Sequence, residues 1–450
     1  MLISNSANAS INLAANRSEK QDEEFLSSEQ NRKIYNKWRV RVLLSVILGY
    51  ATFYLCRQNF SMIMPAFMEE FKYTKTELGF VLTLAAIVYG VGKFVNGYFS
   101  DRSNARYFMS LGLFASAITT FFLGLSDSLF FLGTLWVINN WFQSMGWPPA
   151  AKVITHWFAP KELGTKWAYG AGSHQIGGAV TLVVSGYLVS DFGWRSAFFV
   201  PSIIALFIAY ILFNRLRESP EELGLPCVEL YKSQIVDGSF PKKEDNISLS
   251  EIIQKVFLNK KMWYIGFANM FLYIVRLGVV SWAPLFLKEF KHMSITESGW
   301  YVATYDLAGL LGGISAGVIS DKIFKGQRGP VGVFFMLALA GAIAIFWLTP
   351  ANYLFLNGLI MALLGFFVYG PQILVGVASA DFSSKKAIGT ANGLAGTMGY
   401  LGSGISGVCV GFISDRWGWD MVFMFFIVSA VFGSLFFYLT WEKSRKLTQE

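Results

Sequence analysis

From its N-terminus the chain is first polar, then alternates between long apolar runs and short polar breaks. Residues 1–38 are rich in Glu, Gln, Ser and Asn and lack the apolar core of a cleaved signal peptide, so a disordered tail is expected. The apolar runs that follow are each near the roughly 20 residues that span a bilayer. They lie at about 42–66, 78–99, 107–126, 129–151, 165–189, 195–213, 262–286, 299–319, 331–349, 353–379, 387–413 and 419–441. This pattern predicts an all-α integral membrane protein with twelve transmembrane helices, numbered here as spans 1 to 12. One long polar break, 214–261, is rich in Lys and Glu and cuts the set into two groups of six. The expected organisation is a tail (1–38), a six-helix bundle (39–213), a linker loop (214–261), a second six-helix bundle (262–441) and a short tail (442–450).

Composition agrees with the pattern. Only 15% of the 450 residues are charged and 54% are hydrophobic, against roughly 25% charged in a typical soluble domain. Cys56, Cys227 and Cys409 are too few and too scattered for a disulfide framework or a thiolate metal site. A net charge of +8 raises the question of nucleic acid, but its distribution answers it. Most of the 37 Lys and Arg residues fall in the tails and the loops on one side of the membrane. The other side carries Lys72, Lys75, Arg195, Lys288, Lys291 and Arg416, while Arg57, Lys93, Lys152 and Arg276 lie inside or at the ends of spans. Cytoplasmic loops carry the Lys and Arg excess, which puts both termini and the linker in the cytoplasm and leaves no need for nucleic acid.

The two groups of six repeat one another. Arg57, Pro65, Phe67, Glu70, Phe71 and Lys72 recur with the same spacing as Arg276, Pro284, Phe286, Glu289, Phe290 and Lys291. The stretch from Glu77 to Ser100-Asp101-Arg102 recurs from Glu297 to Ser320-Asp321-Lys322, and Gly164 to Gly193-Trp194 recurs from Gly389 to Gly418-Trp419. Repeats of equal orientation hold substrate near the midplane between them. Arg57 and Arg276 are then symmetry mates, each mid-helix, where a charge costs at least about 2.5–3.5 kcal/mol. One reading is that each arginine neutralises a buried acid. Asp306 in span 8 is the sole carboxylate well inside a span, however, and Lys93 adds a further cation. The surplus of positive charge favours a dianion, and the planar fork of Arg fits phosphate in a way a lone Lys does not. No nucleophile–base pair or metal cluster appears, so neither an enzyme nor a cofactor or metal is expected.

Other residues carry two readings each. His174 lies among Gly170, Gly172, Gly177 and Gly178 in span 5 and is either a packed neutral ring or a ligand; Gly399 is its repeat mate. Asp306 could carry protons or pair with Lys93 or Arg276. Lys152 follows Gly146-Trp147-Pro148-Pro149, where the proline pair should kink span 4, and reads as a gate residue able to snorkel. Asp101-Arg102 and Asp321-Lys322, after spans 2 and 8, could form salt bridges that hold one face shut. Tyr50, Tyr54, Trp141, Tyr169, Tyr273 and Tyr305 could line a polar cavity or simply pack.

Twelve spans with such Asp-Arg loops resemble the major facilitator superfamily. Within it, Tyr54-Leu55-Cys56-Arg57-Gln58-Asn59-Phe60, Met64-Pro65, Lys93-Phe94 ahead of Ser100-Asp101-Arg102, and Gly146-Trp147-Pro148-Pro149 resemble the organophosphate:phosphate antiporters. The resemblance covers about 40–441. It implies rocker-switch exchange of a sugar or glycerol phosphate for inorganic phosphate in a bacterial inner membrane, by a functional monomer. It implies that Arg57 and Arg276 bind phosphate, with Lys93 and His174 beside them. Glycerol-3-phosphate members have Lys where this chain has Gln58 and Asp where it has Ser281. The hexose-phosphate permease has Asp and Lys where this chain has Asn392 and Ala395. Gln58 and the Gly-Trp-Pro-Pro stretch lean toward glucose 6-phosphate carriers and the related hexose-phosphate sensor. The alternatives are glycerol 3-phosphate exchange or a hexose-phosphate receptor of the same fold; a proton-coupled symporter would have to rely on Asp306.

Overall fold

In the computed structural model, residues 29–228, 253–383 and 387–441 are described. The expectations for 1–28, for most of the linker and for the last residues after 441 lie outside them. Helices account for the described spans, and no strand occurs among these residues. Ten helices are long and apolar enough to cross a membrane. Spans 2, 3 and 5 to 10 each fall on one helix: Lys75–Arg102, Ala105–Leu123, Pro160–Phe192, Ser196–Arg215, Lys260–Glu289, Ile295–Lys322, Arg328–Leu348 and Leu354–Phe382. Spans 11 and 12 share Ile388–Leu439, which is interrupted at Gly418.

Spans 1 and 4 are broken. Span 1 consists of Glu29–Leu55 and Asn59–Phe71. Between them the chain tightens into short-range bonds: Cys56 donates its N–H to Phe53 (3.2 Å) and Arg57 donates to Tyr54 (3.1 Å). Asn139 of span 4 meets the Cys56 carbonyl at 2.8 Å, which satisfies a backbone group the break would leave bare in an apolar setting. Span 4 consists of Leu129–Gln143 and Trp147–Trp157, with prolines opening the second helix. Proline tolerates that position because the first N–H groups of a helix have no partner within it.

The first helix begins at Glu29, nine residues before the expected end of the tail. Tyr35 is fully buried and edge-on to Trp157, its hydroxyl donating to the Pro226 carbonyl at 3.2 Å. Arg39 bonds the Trp157 carbonyl and pairs with Glu162. The polar composition of this segment hid these anchors.

The sequence repeat reappears as repeated local geometry. Thr74 with Glu77 and Ser294 with Glu297 form matching capping boxes at the starts of spans 2 and 8. Gly193 and Gly418 both have positive φ, 80° and 78°, a conformation that glycine adopts without a Cβ clash. Each of these turns aims the next residue's indole at the end of the opposite helix: Trp194 donates to Glu70 at 2.6 Å and Trp419 to Glu289 at 2.9 Å.

The two halves meet where span 2 packs on span 11 and span 5 on span 8. Apart from a bond at mid-depth between Gln58 and Asp306, the polar contacts named here lie at the face poor in Lys and Arg. Glu69 pairs with Lys288 at 2.5 Å and Lys75 with Glu289 at 2.8 Å. Asp415 accepts from the Thr76 N–H at 2.7 Å and from its hydroxyl at 2.6 Å. At the charge-rich face, the ion pairs among described residues stay within one half. Lys152 pairs with Glu218 at 2.8 Å, and Arg328 with Asp321 and Asp381. The molecule is therefore fastened at its charge-poor face.

Candidate functional site

Midway between the faces, the two halves enclose a cavity of about 100 Å³ whose lining includes Tyr54, Arg57, Gln58, Arg276, Tyr369 and Tyr400. Both symmetry-mate arginines reach it. Arg57 rides on the break in span 1, its guanidinium 4.0 Å from the Tyr89 ring centroid and 5.6 Å from that of Tyr54. Arg276 comes from an unbroken helix and lies 4.7 Å from the Tyr369 ring and 5.3 Å from the Tyr273 ring. Aromatic faces hold a guanidinium by attraction to the ring quadrupole and leave its N–H groups free for a ligand. The Nε of Arg276 is buried without a hydrogen-bond partner. A buried donor left open in this way suits an incoming anion.

The single buried carboxylate among the described residues is held by neutral donors. Asp306 accepts from the Tyr369 hydroxyl at 2.7 Å and from Gln58 Nε2 at 3.0 Å. Arg276 in turn donates to the same Tyr369 hydroxyl at 3.4 Å. Asp306 thus forms an ion pair with neither Lys93 nor Arg276, and a tyrosine stands between the acid and the arginine. The bond from Gln58 to Asp306 joins the two halves. It passes over Gly178, where a Cβ would sit 2.0 Å from Gln58 Oε1 and 2.6 Å from Asp306 Oδ2.

The remaining candidates are placed as follows. His174 lies 5.3 Å from the Tyr54 ring and 6.1 Å from that of Tyr369; its Nδ1 meets the Ala171 carbonyl, and its Nε2 is buried without a partner. Lys93 stands 5.5 Å from the Tyr400 ring, which packs against Tyr89 and Tyr273. Asn392 is exposed on span 11, away from the cavity lining. Lys152 bonds the Ser100, Asp101 and Ser103 carbonyls and so closes the end of span 2. Arg102 stacks on Tyr98 at 3.6 Å, while Asp101 and Lys322 are exposed. In this conformation none of Asp101, Arg102, Asp321 and Lys322 bonds across the halves among the described residues. Tyr305 is buried beneath Arg276, its hydroxyl on the Arg276 carbonyl at 3.2 Å, whereas Tyr169 is exposed beside Lys166.

Sequence reasoning missed Tyr89, Tyr369 and Tyr400. Tyr89 lies one helical turn before Lys93 on the same face, and Tyr400 follows the repeat mate of His174. Either position could have flagged them. Tyr369, before Gly370-Pro371, carried no such signal.

The cavity presents two guanidinium groups on aromatic faces, with Lys93 outside its lining over the Tyr400 ring and one acid already bonded by neutral donors. Such a geometry suits an anion. Residues 46–407 match the Major Facilitator Superfamily. A protein of Chlamydia pneumoniae named a probable hexose phosphate transport protein is 38% identical over 437 residues, covering 95% of this chain and 96% of its own. The glycerol-3-phosphate transporter of Bacillus subtilis is 38% identical over 434 residues, covering 94% and 97%. The membrane sensor protein UhpC of Escherichia coli is 34% identical over 402 residues, covering 89% and 92%. Among solved structures, a bacterial homolog of the human lysosomal transporter Spinster, inward-facing and unoccupied, superposes with a TM-score of 0.72 at 17% identity. It covers 90% of this chain and 99% of its own, a likeness of fold.

Proposed function

The chain belongs to the major facilitator superfamily, among its organophosphate:phosphate antiporters, and we propose that it exchanges a sugar phosphate, glucose 6-phosphate first, for inorganic phosphate. It is a multi-pass membrane transporter of the organophosphate class rather than an enzyme. The observation that carries the finer reading is the arginine pair. Arg57 and Arg276 hold equivalent places in the two repeats and face one cavity, with the Nε of Arg276 left open.

A phosphate dianion bridging them would join the halves through charge-assisted bonds, worth roughly 1.5–3 kcal/mol each. Without it, two guanidinium groups would be brought together in a low dielectric as the halves close, which repulsion opposes. Bound anion removes that penalty, so the carrier rocks when loaded and stays put when empty. That asymmetry is what makes an exchanger. Both arginines come from one chain, which supports a functional monomer.

The bacterial relatives support an inner-membrane location, and the Lys and Arg distribution supports an orientation with both termini cytoplasmic. The fastened, charge-poor face is then the outer one, and the cavity faces the cytoplasm. Rocking outward requires the pairs Glu69–Lys288 and Lys75–Glu289 to part while the loops bearing Asp101, Arg102, Asp321 and Lys322 close on one another.

Counterflow in proteoliposomes tests the reading, with labelled phosphate inside and a panel of phosphate esters outside. Exchange driven best by glucose 6-phosphate supports it. Preference for glycerol 3-phosphate moves the substrate, and saturable binding without any flux turns the reading to a receptor.

A further inference from the structure

The cavity does not end at the arginines. It continues toward the fastened face, past Ser281, five residues beyond Arg276 on span 7, and Ser403, three beyond Tyr400 on span 11. One helical residue rises about 1.5 Å, so Ser281 sits roughly 7.5 Å further along its helix than Arg276. Asn140 of span 4 lines the same cavity at the level of Arg57, its neighbour Asn139 bonding the Cys56 carbonyl.

What singles out these residues is the state of their polar atoms. A serine inside a helix normally turns its hydroxyl back onto a carbonyl three or four residues earlier. Here Ser61 bonds Gln58, Ser202 bonds Phe199, Ser406 bonds Ser403 and Ser429 bonds Phe425 in that way. The hydroxyls of Ser281 and Ser403 make no hydrogen bond among the described residues, although both line the cavity. Asn140 donates to the Trp136 carbonyl at 2.9 Å, which leaves its side-chain oxygen as an open acceptor. Three open polar groups on three helices therefore face the cavity that holds the two cations, two of them beyond Arg276 and Tyr400 along their helices. Its other walls include the apolar Leu82, Ala85, Leu277 and Val280, and Ser61 and Ser406, whose hydroxyls are turned back onto their own helices. Inorganic phosphate held by the arginines would leave this space unused.

We propose that Asn140, Ser281 and Ser403 form a polyol subsite that receives the hydroxyls of the organic group while the phosphate rests on Arg57 and Arg276. The ester enters with its sugar leading, away from the charge-rich mouth. This inference rests on the organophosphate exchange reading above. Sugar hydroxyls are strongly hydrated, and a carrier that strips their water must return hydrogen bonds from both donors and acceptors. Two hydroxyls and an amide oxygen supply both.

The test compares half-saturation for glucose 6-phosphate and for inorganic phosphate, each exchanging against internal phosphate, in wild type, Ser281→Ala, Ser403→Ala and Asn140→Ala. Loss of one neutral hydrogen bond should raise the ratio of the two constants by roughly 2- to 13-fold per substitution. A ratio that stays at the wild-type value in all three variants overturns the subsite, even where both constants rise together. A second arm uses monodeoxy analogues of glucose 6-phosphate. At least one variant should lose the wild-type preference for the full sugar over one deoxy analogue, which a mere packing defect would not do. Preferences unchanged in every variant overturn the proposal. Failure of wild-type phosphate self-exchange would instead strike the exchange reading on which this one rests.

Discussion

Glu69 and Lys288 stand at equivalent positions of the two repeats, 219 residues apart, and bond each other at 2.5 Å. Pseudo-symmetry brings the ends of spans 1 and 7 together at the fastened face, and the charges there have opposite signs. The neighbouring glutamates then divide their partners. Glu70 takes Arg195 of its own half at 3.0 Å. At the corresponding place after Trp419 the chain has Asp420, which accepts from Trp347 instead. Glu289 therefore draws its cation, Lys75, from the other half.

These two cross-half pairs should not contribute equally. The Glu69 side chain is 67% exposed, and exposed pairs are worth about 0–1 kcal/mol. Lys75 is 15% exposed and also lies over the Trp419 ring at 5.4 Å. We expect Lys75→Met to loosen the fastened face several-fold and Glu69→Gln to change it little. Thiol labelling from that face, at a cysteine placed at Ser61, measures the difference. Equal labelling rates in the two variants would count against this ranking.

Tyr369 links Arg276 to Asp306. Tyr369→Phe removes both bonds and leaves one oxygen of a buried carboxylate without its donor, a loss of about 1–3 kcal/mol. We expect the half-saturation for phosphate to rise roughly 5- to 150-fold, with the variant still inserted and folded. Near wild-type phosphate affinity would show that the tyrosine is only packing.

The charge of an arginine is not enough at either place. Arg57→Lys and Arg276→Lys each keep a cation but lose the planar fork, and one charge-assisted bond is worth roughly 1.5–3 kcal/mol, about 10- to 150-fold in affinity. Direct binding of phosphate by calorimetry should show both variants impaired to a similar degree, because the sites are symmetry mates. Impairment of one alone would dissolve the clamp.

Lys291 offers a separate check at the fastened face. It is 3% exposed, and its ammonium donates to the carbonyls of Phe346, at 3.0 Å, and Thr349. Burial pushes its pKa down to about 8, below the unfolded value near 10.4. A base whose folded pKa is the lower one binds fewer protons when folded, so stability rises with pH between about 8 and 10.4 and levels off on either side. Thermal unfolding in detergent should show this rise in wild type relative to Lys291→Met. A constant difference between them across that window would contradict it.

Much of this was legible in the chain, for physical reasons. Lipid imposes long apolar helices, so span positions follow from hydropathy, and the repeat makes Arg57 and Arg276 symmetry mates. Breaks in spans 1 and 4 were harder. The proline pair announced the second, but the first rests on Asn139 meeting a bared carbonyl, a contact between residues far apart in sequence. Partners were hardest of all. For Asp306 the sequence offers proton transfer or pairing with Lys93 or Arg276, because it displays charge and not distance; its bonds go to Tyr369 and Gln58. Lys75, Glu69 and Lys288 lie beyond the ends of the expected spans, and nothing in their spacing tells which of them pair across the halves.

Obligatory exchange is the claim on which the rest depends, and efflux measures it. Proteoliposomes loaded with labelled phosphate are diluted into buffer with no imposed gradient of another ion. Efflux should be slow into ligand-free buffer and fast once phosphate or glucose 6-phosphate is added outside. Equal efflux into ligand-free buffer would mean that the empty carrier reorients freely, and the paired-arginine account of exchange would fall.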